Sequence, residues 1–315
     1  MGWVCPMCSS NNESSQRKCI VCEEIRPGLG LSYDIQAQMN HASGSFSSLL
    51  NAYKSIDVER EYSIALDMIK SDPRAGFERM LECAKRGYPL AQNHVGDCYY
   101  YAIGVSQDYS RAVLWFEKAA QQNIPEAQYN LGFCYCYGKG TYKNQKNAVL
   151  WFKKAAEAGH TGAQNELGDC YYSGTGVETD LEKAFFWYGK AAEQGDSIGE
   201  YNVGWCYLMG VGIVIDAEKA FEYFVKSAAK GNMDAENAIG ECYYHGDGVI
   251  KNVYKAVEHY IIAASGGVAN AQYNLGFCYE KGHGILRNET KAMEWYTKAA
   301  EQGHESARKA LERLK

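Results

Sequence analysis

A chain of 315 residues, 46% hydrophobic and 22% charged, has the composition of a soluble folded protein and room for two ordinary domains. Its net charge of -6 is modest and argues against a body built to coat a polyanion. No run of about 18 apolar residues occurs, so no membrane-spanning helix is expected.

The chain starts Met1-Gly2-Trp3-Val4-Cys5, without the apolar core of a signal peptide, so no secretory leader is expected. Pro6 stands where a myristoylated terminus wants Ser or Thr. Two Cys-x-x-Cys knuckles follow, Cys5/Cys8 and Cys19/Cys22, separated by ten residues. Four thiolates at this spacing can surround one Zn²⁺ tetrahedrally, and a segment this short buries no core, so the metal would supply its folding energy. The other readings are a pair of disulfides or a redox Cys-x-x-Cys, which usually comes with a βαβ pattern that is absent here.

With Trp3 before the first knuckle and Asn12 after it, residues 1–27 resemble the zinc finger of the Ran-binding-protein-2 type. That resemblance implies one structural zinc on Cys5, Cys8, Cys19 and Cys22, supported by Trp3 and Asn12. Fingers of that family bind ubiquitin or single-stranded RNA. The ubiquitin binders carry Thr-Phe after the second cysteine, where this chain has Ser9-Ser10. The RNA binders carry an aromatic and two arginines where Glu13, Ser15 and Gln16 stand, which removes stacking and base-reading groups. A structural or protein-docking finger fits the same residues.

Residues 28–49, rich in Gly, Ser, Asn and Gln, read as a flexible linker. A helix is expected over 50–70 and a second from Pro73 to Gly87, with Asp72 as N-cap and Pro73 in the first turn. This pair, residues 50–87, stands one step before a series of clear repeats and reads as a degenerate capping unit.

The series is marked by Gly-x-Cys-Tyr, with glycines at 96, 132, 168, 204, 240 and 276, a spacing of 36 residues. A period in this range indicates a stacked array of helical hairpins. Helix A of each unit carries Leu-Gly-x-Cys-Tyr or a variant, a Gly-x-Gly turn follows, and helix B carries Ala-x-x-Trp-Phe or a variant and ends at glycine. Asp108, Asn144, Asp180, Asp216, Asn252 and Asn288 are the expected N-caps of helix B. A glycine inside helix A costs about 1 kcal/mol against alanine, so its recurrence points to close approach of helix B. Trp115, Trp151, Trp187 and Trp295 read as packing residues, and the turn glycines as positive-φ positions rather than phosphate cradles.

Cys98, Cys134, Cys170, Cys206, Cys242 and Cys278 occupy one fixed place per unit. Helices pack about 10 Å apart, whereas a disulfide needs Cα atoms within about 7 Å, so these thiols are expected to be free. That implies a reducing, intracellular setting, cytoplasmic or nuclear. The seven histidines form no metal spacing, and no nucleophile, base and oxyanion arrangement appears, so no enzyme is expected.

At these repeated residues, 88–303 resemble six Sel1-like repeats, relatives of the tetratricopeptide repeat, with 304–315 as a closing helix. The resemblance implies an all-α, right-handed α-solenoid of 36-residue helix-turn-helix units, here preceded by the small zinc finger. Secreted bacterial members carry a further helix-B cysteine that bridges each unit. Ala119, Ala155, Ala191, Ser227, Ala263 and Ala299 stand there instead. The known members imply an adaptor or scaffold.

A second period lies inside the first. The residue between Gly and Cys reads Asp97, Phe133, Asp169, Trp205, Glu241, Phe277, and four residues earlier stand Asn93, Tyr129, Asn165, Tyr201, Asn237, Tyr273. Polar and aromatic units therefore alternate over 72 residues. Positions i and i+4 share a helix face, and in tetratricopeptide arrays the matching places face a concave groove. The expectation is a groove of acidic and aromatic bands, with Tyr100, Tyr172 and Tyr244 adding hydroxyls, suited to an extended peptide with basic residues between apolar ones. The alternative is duplication of a two-unit block with the rings merely packing between layers. The chain reads as an intracellular adaptor binding a protein or extended peptide, with ubiquitin or single-stranded RNA recognition through the finger as the alternative.

Overall fold

The computed structural model describes residues 46–314, with side chains from residue 57, and the strand residues 3–4 and 11–12. Strands β1 (Trp3–Val4) and β2 (Asn11–Asn12) pair antiparallel, with Trp3 opposite Asn12. The expected zinc ligands Cys5, Cys8, Cys19 and Cys22, and all of the linker before residue 46, lie outside the described residues. The chain divides into two compact units, Met1–Trp115 and Phe116–Lys315.

The first unit holds α1 (Phe46–Ser71), α2 (Pro73–Lys85) and α3 (Pro89–Tyr101), each packed on the next. Helix α1 begins four residues before the expected start, within the stretch read as linker. Asp72 caps α2 as expected, its side chain accepting from Ala75 N. Phe77, Met80 and Cys83 of α2 are buried with Val58 and Ala65 of α1, and the ion pairs Arg79–Glu61 (2.7 Å) and Arg86–Asp57 (3.0 Å) join the same helices. Gly76 sits where a Cβ would lie 2.5 Å from Ile69 N, so the two helices touch through backbone. Helix α4 (Tyr109–Gln121) spans the boundary between the units.

The second unit is a run of hairpins: α5 (Pro125–Tyr137) with α6 (Gln145–Glu157), α7 (Thr161–Ser173) with α8 (Leu181–Glu193), α9 (Ser197–Met209) with α10 (Ala217–Ala228), α11 (Met233–His245) with α12 (Val253–Ser265), and α13 (Ala269–Lys281) with α14 (Glu289–Glu301). Each helix B also packs on the following helix A, and α15 (Glu305–Leu314) closes the run against α14.

One device recurs in every hairpin of this unit. The helix-A glycine meets a helix-B ring: a Cβ on Gly132 would lie 2.6 Å from the Phe152 ring, on Gly168 2.5 Å from Tyr188, and on Gly240 2.6 Å from Tyr260. Close approach of helix B is therefore the reason for the glycine, and the partner is the ring four residues after the expected facing alanine. The turn glycines add the link to the preceding unit. Gly248 has φ +68 and would place a Cβ 2.0 Å from the carbonyl oxygen of Ala217, the first residue of α10.

The helix ends follow the sequence. Asn144, Asp180, Asp216, Asn252 and Asn288 each accept from a backbone N–H three residues on, at 2.9–3.1 Å. Gly159, Gly195, Gly231, Gly267 and Gly303 follow helix B with positive φ. A repeated Ala-Gln pair near the start of helix A has a role that periodicity alone does not show. The buried Gln128, Gln164 and Gln272 donate Nε2 to the carbonyls of Ala120, Ala156 and Ala264, tying each helix A to the end of the previous helix B.

The thiols of Cys134, Cys170, Cys206, Cys242 and Cys278 are buried and free. Burial pushes Cys134 and Cys206 up to about 12. The closing helix is held by charge. Glu280 on α13, only 5% exposed, accepts from Arg313 Nη2 at 2.7 Å and Tyr296 OH at 2.9 Å and pairs with Lys281 at 2.6 Å.

Two predictions follow from these contacts. Gly132→Ala should lower the free energy of unfolding by about 1–3 kcal/mol in urea denaturation, because the overpacking of fully buried Phe152 outweighs the gain of about 1 kcal/mol in helix propensity. A midpoint unchanged or raised would show that the ring has room to move. The Glu280 carboxyl is held down to about 2, from an ordinary 4.5, first by the Arg313 hydrogen bond. Its contribution to stability is thus complete above pH 4.5 and lost as pH falls toward 2. Arg313→Ala should cost about 1–2 kcal/mol at neutral pH, and the difference from wild type should vanish over that acid window in the same denaturation series.

Candidate functional site

The paired positions of the 72-residue pattern fall on successive A helices, and the structure separates them by depth. Asn93, Asn165 and Asn237 are buried at 4%, 6% and 6% exposure, so they are not displayed as expected. Each spends its amide on a local clasp. Asn93 donates to Asp97 Oδ2 at 3.2 Å in the first unit. In the second unit, Asn165 donates to Asp196 Oδ1 at 2.7 Å, the oxygen that also caps α9 through Gly199 N. Asn237 donates to Glu241 Oε1 at 3.1 Å.

The aromatic partners Tyr129, Tyr201 and Tyr273 are half-buried and reach forward along the run. Tyr129 stacks on His160 at 4.6 Å between centroids, and Tyr273 on His304 at 4.7 Å. Those histidines cap α7 and α15, their Nδ1 atoms accepting from Ala163 N and Ala307 N. One ring face is thus committed to the next layer.

The residue between Gly and Cys behaves differently. Asp97, Phe133, Trp205, Glu241 and Phe277 are half-buried and Asp169 is exposed, so none belongs to the sealed core. Phe133 packs on Tyr137 at 4.4 Å, and Trp205 meets Tyr172 in a T-shaped contact at 5.2 Å. Tyr137 and Tyr172 are themselves 54% and 42% exposed, which leaves open aromatic surface beside the acids. Asp169 accepts from Tyr188 OH at 2.5 Å. Partial desolvation holds its carboxyl above the usual range, against the lowering effect of that hydrogen bond. Glu166 is also raised, by burial and then by the Asp169 charge.

Between α11 and α13 the surface opens into a cleft of about 280 Å³, lined by Glu241, Tyr244, Tyr273, Asn274 and Phe277 among others. Tyr244 OH is hydrogen-bonded with His283 Nδ1 at 2.7 Å. Asn274 donates to both Asn237 Oδ1 (3.1 Å) and Glu241 Oε1 (3.2 Å), and so fixes the carboxylate. Asn274 was not among the expected site residues. Its signal is the Tyr-Asn pair at 129–130, 201–202 and 273–274, again 72 residues apart.

Among the described residues no group of three or more His, Cys, Asp or Glu is arranged to hold a metal, and no helix is long and apolar enough to cross a membrane.

The model of the Sel1 repeat matches residues 89–124, 125–160, 161–196, 197–232, 234–268 and 269–304. The chain belongs to the Sel1 repeat family. It is similar to the crystal structure of c5321, a protective antigen present in uropathogenic Escherichia coli strains, with 31% identity and a TM-score of 0.71 over 86% of this chain and 59% of that one. It therefore spans less than two thirds of that antigen. A Sel1 repeat protein from Oxalobacter formigenes is 30% identical, with a TM-score of 0.72 over 76% of this chain and 96% of that one. No curated protein matches the chain. The matched Sel1 repeats carry every A helix described above, from Asn93 to Phe277.

Tyr188→Phe should raise the Asp169 pKa further, since it removes the hydrogen bond that favours the ionised form and leaves the desolvation. Carboxyl ¹³C NMR titration reads this directly, and an unchanged or lowered value would break the assigned pairing. The accompanying loss of stability should be about 1.5 kcal/mol.

Proposed function

We propose that this chain is a non-enzymatic intracellular adaptor whose Sel1 repeats bind an extended peptide segment of a partner protein along the A helices. Sel1 repeats typically mediate protein–protein interaction, which makes a protein the partner class in view. The observation that carries the reading is the depth pattern. Leu131, Gly132 and Cys134 are sealed in the core while Phe133 between them is not; Trp205, Glu241 and Phe277 repeat that partial exposure and Asp169 is exposed. Half-open rings are rigid anchors, and the carboxylates between them select and steer a cationic segment.

The N-terminal segment is the second module of this proposal, with one Zn²⁺ held by Cys5, Cys8, Cys19 and Cys22. Four thiolates suit zinc, and the β1–β2 pairing of Trp3 with Asn12 brings together the two residues expected to support such a finger. A tethered module would raise the effective concentration of one partner near the other. Ubiquitin or single-stranded RNA are the finger ligands to test against a plain docking role.

Capture of candidate partners should be compared for wild type, Tyr137→Ser with Tyr172→Ser, and Cys5→Ser with Cys8→Ser. Both tyrosines are exposed, so their truncation should leave circular dichroism unchanged and weaken peptide capture about tenfold or more. Loss of one bound zinc and of finger ligands alone is expected from the cysteine pair. Peptide capture indifferent to both tyrosines would remove the A-helix face from the functional account.

A further inference from the structure

The cleft between α11 and α13 carries more detail than a general peptide groove requires. Three half-buried rings, Tyr244, Tyr273 and Phe277, line it together with the Glu241 carboxylate. Its volume of about 280 Å³ falls just under the usual range for small-molecule sites, which is room for one side chain rather than a cofactor. Rings around a carboxylate are the arrangement that attracts a cation, through the π faces and through direct charge. Two lysines of the chain stand near these rings, Lys251 Nζ 5.7 Å from the Tyr244 centroid and Lys281 Nζ 6.0 Å from that of Phe277; Lys281 pairs with Glu280, and among the described residues no lysine pairs with Glu241.

The carboxylate itself narrows the choice of cation. Asn237 and Asn274 both donate to Oε1, which occupies that oxygen's two lone pairs. Oε2 has no hydrogen-bond partner among the described residues. The bidentate pairing that gives a guanidinium its advantage needs both oxygens, whereas an ammonium group needs only one. We propose that the Glu241–Tyr244–Tyr273–Phe277 cleft is a pocket for the ammonium group of a lysine side chain in the partner, an inference that rests on the peptide-binding reading above.

The matching place one block earlier shows why the cleft is open here. There, Tyr172 packs nearly perpendicular to the larger Trp205, and the shorter Asp169 carboxylate is taken by Tyr188 OH. Replacing Trp by Phe at 277 makes space. Replacing Asp by Glu at 241 extends the carboxylate into the reach of Asn274, and Tyr260, which matches Tyr188, makes no hydrogen bond to it among the described residues.

The test is an NMR titration of the full chain with Nα-acetyl-lysine methylamide. Shift changes should concentrate on α11 and α13. Glu241→Gln keeps the oxygen that Asn237 and Asn274 hold, and should weaken binding about tenfold, the scale of one hydrogen bond to a charged group. Phe277→Trp should abolish binding while the chain stays folded, since Trp205 already occupies the matching place. The Nε-acetylated probe should give no shifts and the arginine analogue weaker ones. Equal binding of the acetylated or arginine probe, or affinity unchanged in Glu241→Gln, would overturn the assignment. A peptide captured through Tyr137 and Tyr172 without any lysine shifts would sink the pocket and leave the adaptor standing. Lysine shifts without peptide capture would do the reverse.

Discussion

The fold depends on the absence of a side chain at one position of helix A. At Gly132, Gly168, Gly204, Gly240 and Gly276 the backbone lies against a ring of helix B, closer than any Cβ permits. That contact fixes the distance between the two helices of a hairpin, and the alanines, the leucine-type residue and the cysteine around it fill a space of set size. Because this core is identical in kind from layer to layer, one unit is a template for the next. A second glycine, in the turn, lets the following unit touch the start of helix B through backbone. Hence the core leaves little freedom to any residue except those pointing away from it.

The residue after each such glycine lies at the edge of that core, where Phe133, Trp205 and Phe277 are half-buried against the buried clusters. Successive residues on a helix turn by about 100°, so when Gly132 and Cys134 face inward, Phe133 cannot. Its place is the one letter of the motif free to vary without disturbing the hairpin, and it is where acids and rings alternate. Packing thus falls to the inward residues of one short stretch, and the proposed function places recognition on the residue between them.

Much of this was legible in the sequence because it rests on local rules applied many times. The period, the Asp and Asn caps, the positive-φ glycines and the free thiols each follow from backbone chemistry repeated at a fixed interval. The start of α1 was placed four residues late because the Gly and Ser residues around 44 suggested a linker reaching to residue 49. The depth of Asn165 and Asn237 was not legible, since a helix face read from spacing does not say which neighbour covers it. Asp196 and Asn274, which use those amides, come from the next unit. The cleft was invisible for a related reason. It arises from two small differences between blocks, one ring size and one methylene, and both matter only once the layers are stacked.

The buried amides also answer a problem that a repeated core creates. Layers built from the same apolar contacts carry nothing that tells one from the next, and an apolar core would accept a neighbour shifted by a unit. Polar clasps are less forgiving, because a buried amide placed opposite a ring loses its partner at a cost of about 1–3 kcal/mol. Asn237, already held to Glu241 on its own helix, meets Asn274 only when a polar layer is followed by an aromatic one. Asn165 meets the Asp196 cap in the same order, although its own carbonyl oxygen is left buried and unpaired. Alternation therefore serves two ends at once. It orders the stack by penalising the wrong neighbour, and it sets carboxylates beside rings at the half-open edge of the core.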